Sequence, residues 1–129
     1  MIELKLRDII NSIEVLKTLA QKPLRGRVAY NVGKMLQQLE NEVNIFSSTR
    51  ENLVHQYATK DEHGNVKVNE ETNEFIFEEE NMKSFVDEMN KVLDTEVVIN
   101  ANKMTLSDIE DIDFTPAEIL ALQVYIEEE

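Results

Sequence analysis

The sequence predicts an α+β fold: a long antiparallel helical hairpin, a small and mostly antiparallel sheet, and two further helices. Three features of the chain predict it. The N-terminus alternates apolar and charged residues and then switches at once to helical spacing. One apolar stripe recurs from Val28 to Tyr57 with helical periodicity. Beyond residue 60, short β-type runs alternate with amphipathic segments, one of which opens on a strong helix-start signal.

Ile2, Leu4 and Leu6 alternate with Glu3, Lys5 and Arg7, which places the apolar residues on one face of a short strand. Asp8 follows as the expected N-cap of a first helix. Ile9, Ile13, Leu16 and Ala20 recur every three or four residues, and Ile10 and Leu19 widen the stripe. This helix ends near Gln21, ahead of Pro23. A second helix is expected from about Leu24 to Tyr57, with Val28, Val32, Met35, Leu39, Val43, Phe46, Leu53 and Tyr57 on one stripe and Arg50 in its gap. The step from Met35 to Leu39 to Val43 is four and four, which breaks a strict heptad. At ~1.5 Å per residue such a helix is ~50 Å long, more than the first helix can cover. Either other elements pack along it or a second copy does, so a homo-oligomer through this helix is one expectation.

Asp61-Glu-His-Gly-Asn65 reads as a turn. Val66 and Val68, then Phe75 and Phe77, read as two short strands of a hairpin joined by a polar loop from Asn69 to Asn73. Met82, Phe85, Val86, Met89, Val92 and Leu93 form the stripe of a third helix, whose start carries Glu78, Glu79 and Glu80, the sign a helix N-terminus favours. Val97 to Ile99 is a further β-type run. Thr115-Pro-Ala-Glu118 combines a capping Thr, Pro at the first helical position and Glu three residues on, and starts a last helix carrying Ile119, Leu122, Tyr125 and Ile126. With 129 residues and no linker or repeat, the expected organisation is a single domain, 1–129.

Charge is unevenly spread along the chain. Residues 1–60 hold nine Lys/Arg and six Asp/Glu; residues 61–129 hold four and twenty, and the total is −13. Such a balance favours basic partners or partners that normally bind something anionic, and it opposes direct nucleic-acid binding. There is no Cys, so disulfides and thiolate metal sites are excluded. No apolar run approaches the ~20 residues of a membrane span, so no membrane association is expected.

The chain offers little for catalysis. His55 sits at a helix end and His63 in a turn, and Ser47, Ser48 and Thr49 lie mid-helix without an oriented base. Asp61 to Gly64 places Gly fourth, where a calcium loop requires it sixth. Asp108 to Asp113 reads as a solvated turn anchored by Ile109 and Ile112. No enzyme activity, metal or cofactor is therefore expected. Arg25 and Arg27, near Lys22 and Lys34, form the densest basic spot. Pairing with the acidic half of this chain or of a neighbouring copy is the favoured reading, and contact with a phosphate or an acidic protein surface is the alternative. Glu70, Glu71, Glu74, Glu78, Glu79, Glu80, Asp87 and Glu88 are the candidate acidic partner-binding run, which Asp108–Asp113 and Glu127–Glu129 extend. Carboxylates so arranged can imitate nucleic acid, with about one charge per 3.4 Å of strand, or simply keep the protein soluble.

Ile2/Leu4/Leu6, the segment Ile13 to Leu19, Lys22-Pro-Leu-Arg-Gly-Arg-Val-Ala-Tyr30, the helix ending His55-Gln-Tyr57, the Gly64-Asn65 turn, Leu106-Ser-Asp-Ile109 and Thr115 to Leu122 occur in that order. The whole resembles a family of small proteins of unknown function from phages and prophages of Gram-positive bacteria. The resemblance implies a phage origin and a location in the host cytoplasm or the virion, and it carries over no catalytic residue. The function expected is that of a non-enzymatic acidic protein that binds a host or phage protein. It would inhibit a host defence or nucleic-acid-binding factor by charge mimicry. The alternative is a structural or assembly component of the phage particle.

Overall fold

Ile2 and Leu4 point inward and Glu3 and Lys5 outward on β1 (Ile2–Lys5), as the strand's period of two requires. The computed structural model, which describes residues 1–127, pairs this strand with β2 (Glu96–Ile99). The pairing is antiparallel, with Ile2 opposite Ile99 and Leu4 opposite Val97, so the four inward residues share one buried face. Leu6 is not the third inward strand residue but the first residue of α1 (Leu6–Ala20). An apolar residue at this point suits the inner face of either element, so the pattern did not locate the switch. Asp8 is likewise not the N-cap. Lys5 is, and Asp8 stands three residues later, where its Oδ2 accepts the Lys5 N–H at 3.1 Å.

α1 buries Leu6, Ile9, Ser12, Ile13, Leu16 and Leu19, while Ala20 is exposed. Ser12 was absent from the expected stripe. It is buried because its Oγ bonds the Tyr125 hydroxyl at 2.6 Å and donates to the Asp8 carbonyl at 2.6 Å. A buried hydroxyl with both needs met costs little. A connection from Gln21 to Arg25 leads into α2 (Gly26–Tyr57), the long arm of the helical hairpin. Val28, Val32, Met35 and Leu39 are buried as expected. Beyond the four-four step the stripe drifts by one residue: Val54 and Ala58 are buried, whereas Leu53 and Tyr57 are half-buried.

Contacts divide the chain into two compact units, Met1–Val43 with Thr95–Glu129, and Asn44–Asp94. The boundary follows directly on the four-four step at Val43. Glu128 and Glu129 lie outside the described residues. Among the described residues, every buried apolar side chain except Val54 and Ala58 belongs to the first unit.

The first unit is completed by the C-terminal third of the chain. Asn31 Nδ2 donates to the Asn102 carbonyl at 2.7 Å and its Oδ1 accepts from the Asn102 N–H at 3.3 Å. Gln38 repeats the pattern on Asn100, at 3.0 and 2.8 Å. Two amides seven residues apart on α2 thus hold the segment after β2 by its backbone. Ile109 is buried and Ile112 half-buried, so the Asp108–Asp113 segment is anchored as expected. A short 3-10 turn, Leu106–Asp108, is capped by Thr105, whose N–H bonds Asp108 Oδ2 at 2.9 Å. α4 (Pro116–Leu122) and a 3-10 turn (Gln123–Tyr125) follow. Met104 N–H bonds the Tyr125 carbonyl at 2.8 Å and its carbonyl accepts from Glu127 N–H at 2.7 Å, which draws Tyr125 into the core.

The Thr115 box forms as the sequence required: Thr115 Oγ1 accepts from Glu118 N–H at 3.2 Å, and Glu118 Oε1 accepts from Thr115 N–H at 3.0 Å. Hydrogen bonds to the carboxyl from the Thr115 backbone N–H and, to a lesser degree, from the Thr115 side chain hold Glu118 below its usual 4.5. A lowered folded value adds stability above the unfolded pKa and loses it as pH falls through the folded one. Thr115→Ala should fray α4, and Glu118→Gln should flatten the acid-side change in its chemical shifts; both are read by NMR during a pH titration.

Candidate functional site

The second unit is built on side-chain-to-backbone turns. Asp61 Oδ1 accepts from His63 N–H at 2.8 Å and Asn65 N–H at 3.0 Å, and Gly64 takes the left-handed φ of 81° that closes the turn. Asn69 Oδ1 does the same for Glu71 N–H at 2.9 Å, and Asn73, at φ 61°, completes that turn. The expected two-strand hairpin is thus corrected. Val68 and Phe75 meet in a single antiparallel bridge, Lys60 and Val66 in another, and no regular ladder forms. Thr59, Lys67 and Ile76 are cross-linked instead, by bonds of 2.8 to 3.1 Å. The segments are too short for a ladder because each turn consumes the residues that would extend it.

This meander delivers the chain to α3 (Glu79–Leu93), with Glu78 as N-cap. Phe77 lies against Phe85 with ring centroids 4.8 Å apart and an interplanar angle of 34°. The stripe expected for this helix is present, yet α3 buries none of its side chains. Met82 and Val86 are exposed at 40% and 45%, and Phe85, Met89, Val92 and Leu93 are half-buried. An amphipathic helix normally hides such a stripe. Val68, Phe75 and Ile76 of the meander are exposed as well.

All eight candidate carboxylates lie in this unit. Glu70 and Glu71 sit on the Asn69 turn, Glu74 on its return, and Glu78, Glu79 and Glu80 at the start of α3, all exposed. Asp87 and Glu88 differ in setting. They share the polar side of α3 with Lys83 and Lys91, and Lys91 bonds Glu88 at 3.3 Å. The uninterrupted acidic stretch therefore runs from the turn to the first turn of α3, and the body of the helix is mixed in sign.

Arg25 and Arg27 belong to the other unit. Arg25 just precedes α2 and Arg27 lies in its first turn; both are exposed, and neither forms an ion pair with a described residue of this chain. Arg27 lines a cleft with Tyr30, Lys34 and Lys103. The spacing of Arg27, Tyr30 and Lys34 on one helix was legible in the sequence; Lys103, brought there by the backbone clamps, was not. Ser47 and His55 line one cleft of the second unit with no hydrogen bond between them. No group of three or more metal-ligating side chains converges among the described residues, and none of the described helices is long and apolar enough to cross a membrane.

The separation of charge by sequence halves does not survive folding. The first unit carries eight Lys/Arg and fourteen Asp/Glu, the second five and twelve. No family model, curated protein or solved structure matches the chain.

Proposed function

We propose that the chain is a phage-encoded, non-enzymatic binding protein whose second unit docks a host or phage protein. The observation that carries this reading is α3, a 15-residue amphipathic helix with no buried side chain. Its apolar stripe begins at Met82, two residues after the Glu78-Glu79-Glu80 run. The occupant that complements both features is a protein with an apolar groove and a basic rim, such as the nucleic-acid-binding face of a host factor. Apolar burial, at ~25 cal/mol per Å², supplies affinity, and the carboxylates supply orientation and on-rate. The mixed signs along α3 favour this division of labour over mimicry of a phosphate strand by charge alone. The phage origin rests on the resemblance of the sequence.

The test has two steps. Capture from infected cells names the partner, and calorimetry with the purified pair measures the surface. Met82→Asp with Val86→Asp should weaken binding by about a hundredfold without lowering the melting temperature, because exposed residues seldom carry stability. Glu78→Lys, Glu79→Lys and Glu80→Lys together should slow association about tenfold and flatten its salt dependence. Wild-type affinity in both variants would refute the surface. A stable dimer that the α3 variant dissolves would instead favour a structural role in the particle.

A further inference from the structure

Three cations converge on one cleft of the first unit, in a chain with twice as many acidic as basic residues. Arg27 and Lys34 lie two turns apart on α2, and Lys103 faces them from the segment after β2. None of the three forms an ion pair with a described residue. Asp108 is the one carboxylate lining the cleft, and its Oδ2 is engaged by the Thr105 N–H. Four hydrogen bonds from Asn31 and Gln38 fix the backbone that carries Lys103, so this wall is set before any ligand arrives. The cleft holds about 360 Å³, and Tyr30, 76% exposed, stands at its edge.

We infer that this cleft binds a phosphate ester of nucleotide size. Arg27, Lys34 and Lys103 take the phosphate by charge-assisted hydrogen bonds. The Tyr30 ring offers a stacking face to a base, and Asn100 and Asn102 line the same space. The volume falls in the ~300–1,000 Å³ range of small-ligand sites. The negative charge of the rest of the chain does not prevent this, because physiological salt screens exposed charges beyond ~8 Å. The cleft lies in the first unit, and its assignment does not rest on the α3 surface of the second.

Calorimetry at physiological salt with AMP, inorganic phosphate and adenosine tests the assignment. AMP should bind one saturable site, phosphate more weakly, and adenosine not at all. Arg27→Gln with Lys103→Gln should weaken AMP by about a hundredfold, and Lys34→Gln alone by about tenfold. Tyr30→Ala should bring AMP down to the affinity of phosphate and leave phosphate unchanged. These side chains are at the surface, so the melting temperature should hold in each variant. No saturable AMP binding, or binding that the cation variants do not change, would overturn the site. Adenosine equal to AMP would overturn its anionic basis, and phosphate equal to AMP would overturn the nucleotide assignment.

Discussion

Tyr125→Ala should destabilise the protein by ~3–5 kcal/mol, enough to consume much of the stability of a small domain. Tyr125 is fully buried and joins the end of the chain to α1. Truncation opens a ring-sized cavity and leaves Ser12 with the Asp8 carbonyl as its near partner. Tyr125→Phe should cost only ~1 kcal/mol, because Ser12 Oγ keeps that acceptor. Urea unfolding measures both. Equal losses in the two variants would show that the hydroxyl pair, not the packing, holds the chain end. The group also gives a pH signature. Burial raises its hydroxyl above the usual 10.0, the Ser12 bond opposes the rise, and the Asp8 charge adds to it. A raised folded value means the contribution is complete below pH ~10 and is lost as pH climbs through the folded pKa. Tyr125→Phe should flatten the alkaline limb of the stability curve.

Val54→Asp should unravel the second unit and spare the first. Val54 and Ala58 are its only buried apolar residues among those described. An unpaired carboxylate placed there costs ~3 kcal/mol or more, against a unit with almost no other core. The first unit keeps Ile9, Leu16, Met35, Leu39 and the β1–β2 pair intact. Hydrogen exchange reads the two separately. Protection should vanish from Lys67, Asn69 and Ile76 and persist at Met104 and Ile109. A uniform loss would mean that the two units unfold as one.

Much of the fold is written in local patterns. Period two at Ile2 and Leu4, the helical stripes, the Thr115 box and the Asp61 turn each depend on residues close in sequence, and each was legible. The hairpin expected at Val66–Phe77 does not form because two turn-forming asparagines and Asp61 take up the backbone that a ladder needs. The acidic run was legible as composition, and its start at α3 as a helix signal. Its interruption by Lys83 and Lys91 was there to be read and carries the argument against uniform charge mimicry.

Sequence by itself determined the helical segments, the β1 and β2 runs, the Thr115 cap and the Asp61 turn, and that the chain is strongly acidic, because each of these follows from composition or from neighbours within about two helical turns. Only the tertiary structure decided that β1 pairs with β2 across more than ninety residues of chain, that Ser12 is a core residue, and that Lys103 joins Arg27 and Lys34. It also decided that α3 leaves Met82 and Val86 exposed and the rest of its apolar stripe only half-buried. The reason is physical: burial, pairing and charge neutralisation depend on what arrives from a distance, and a one-dimensional pattern states what a face wants without saying what meets it.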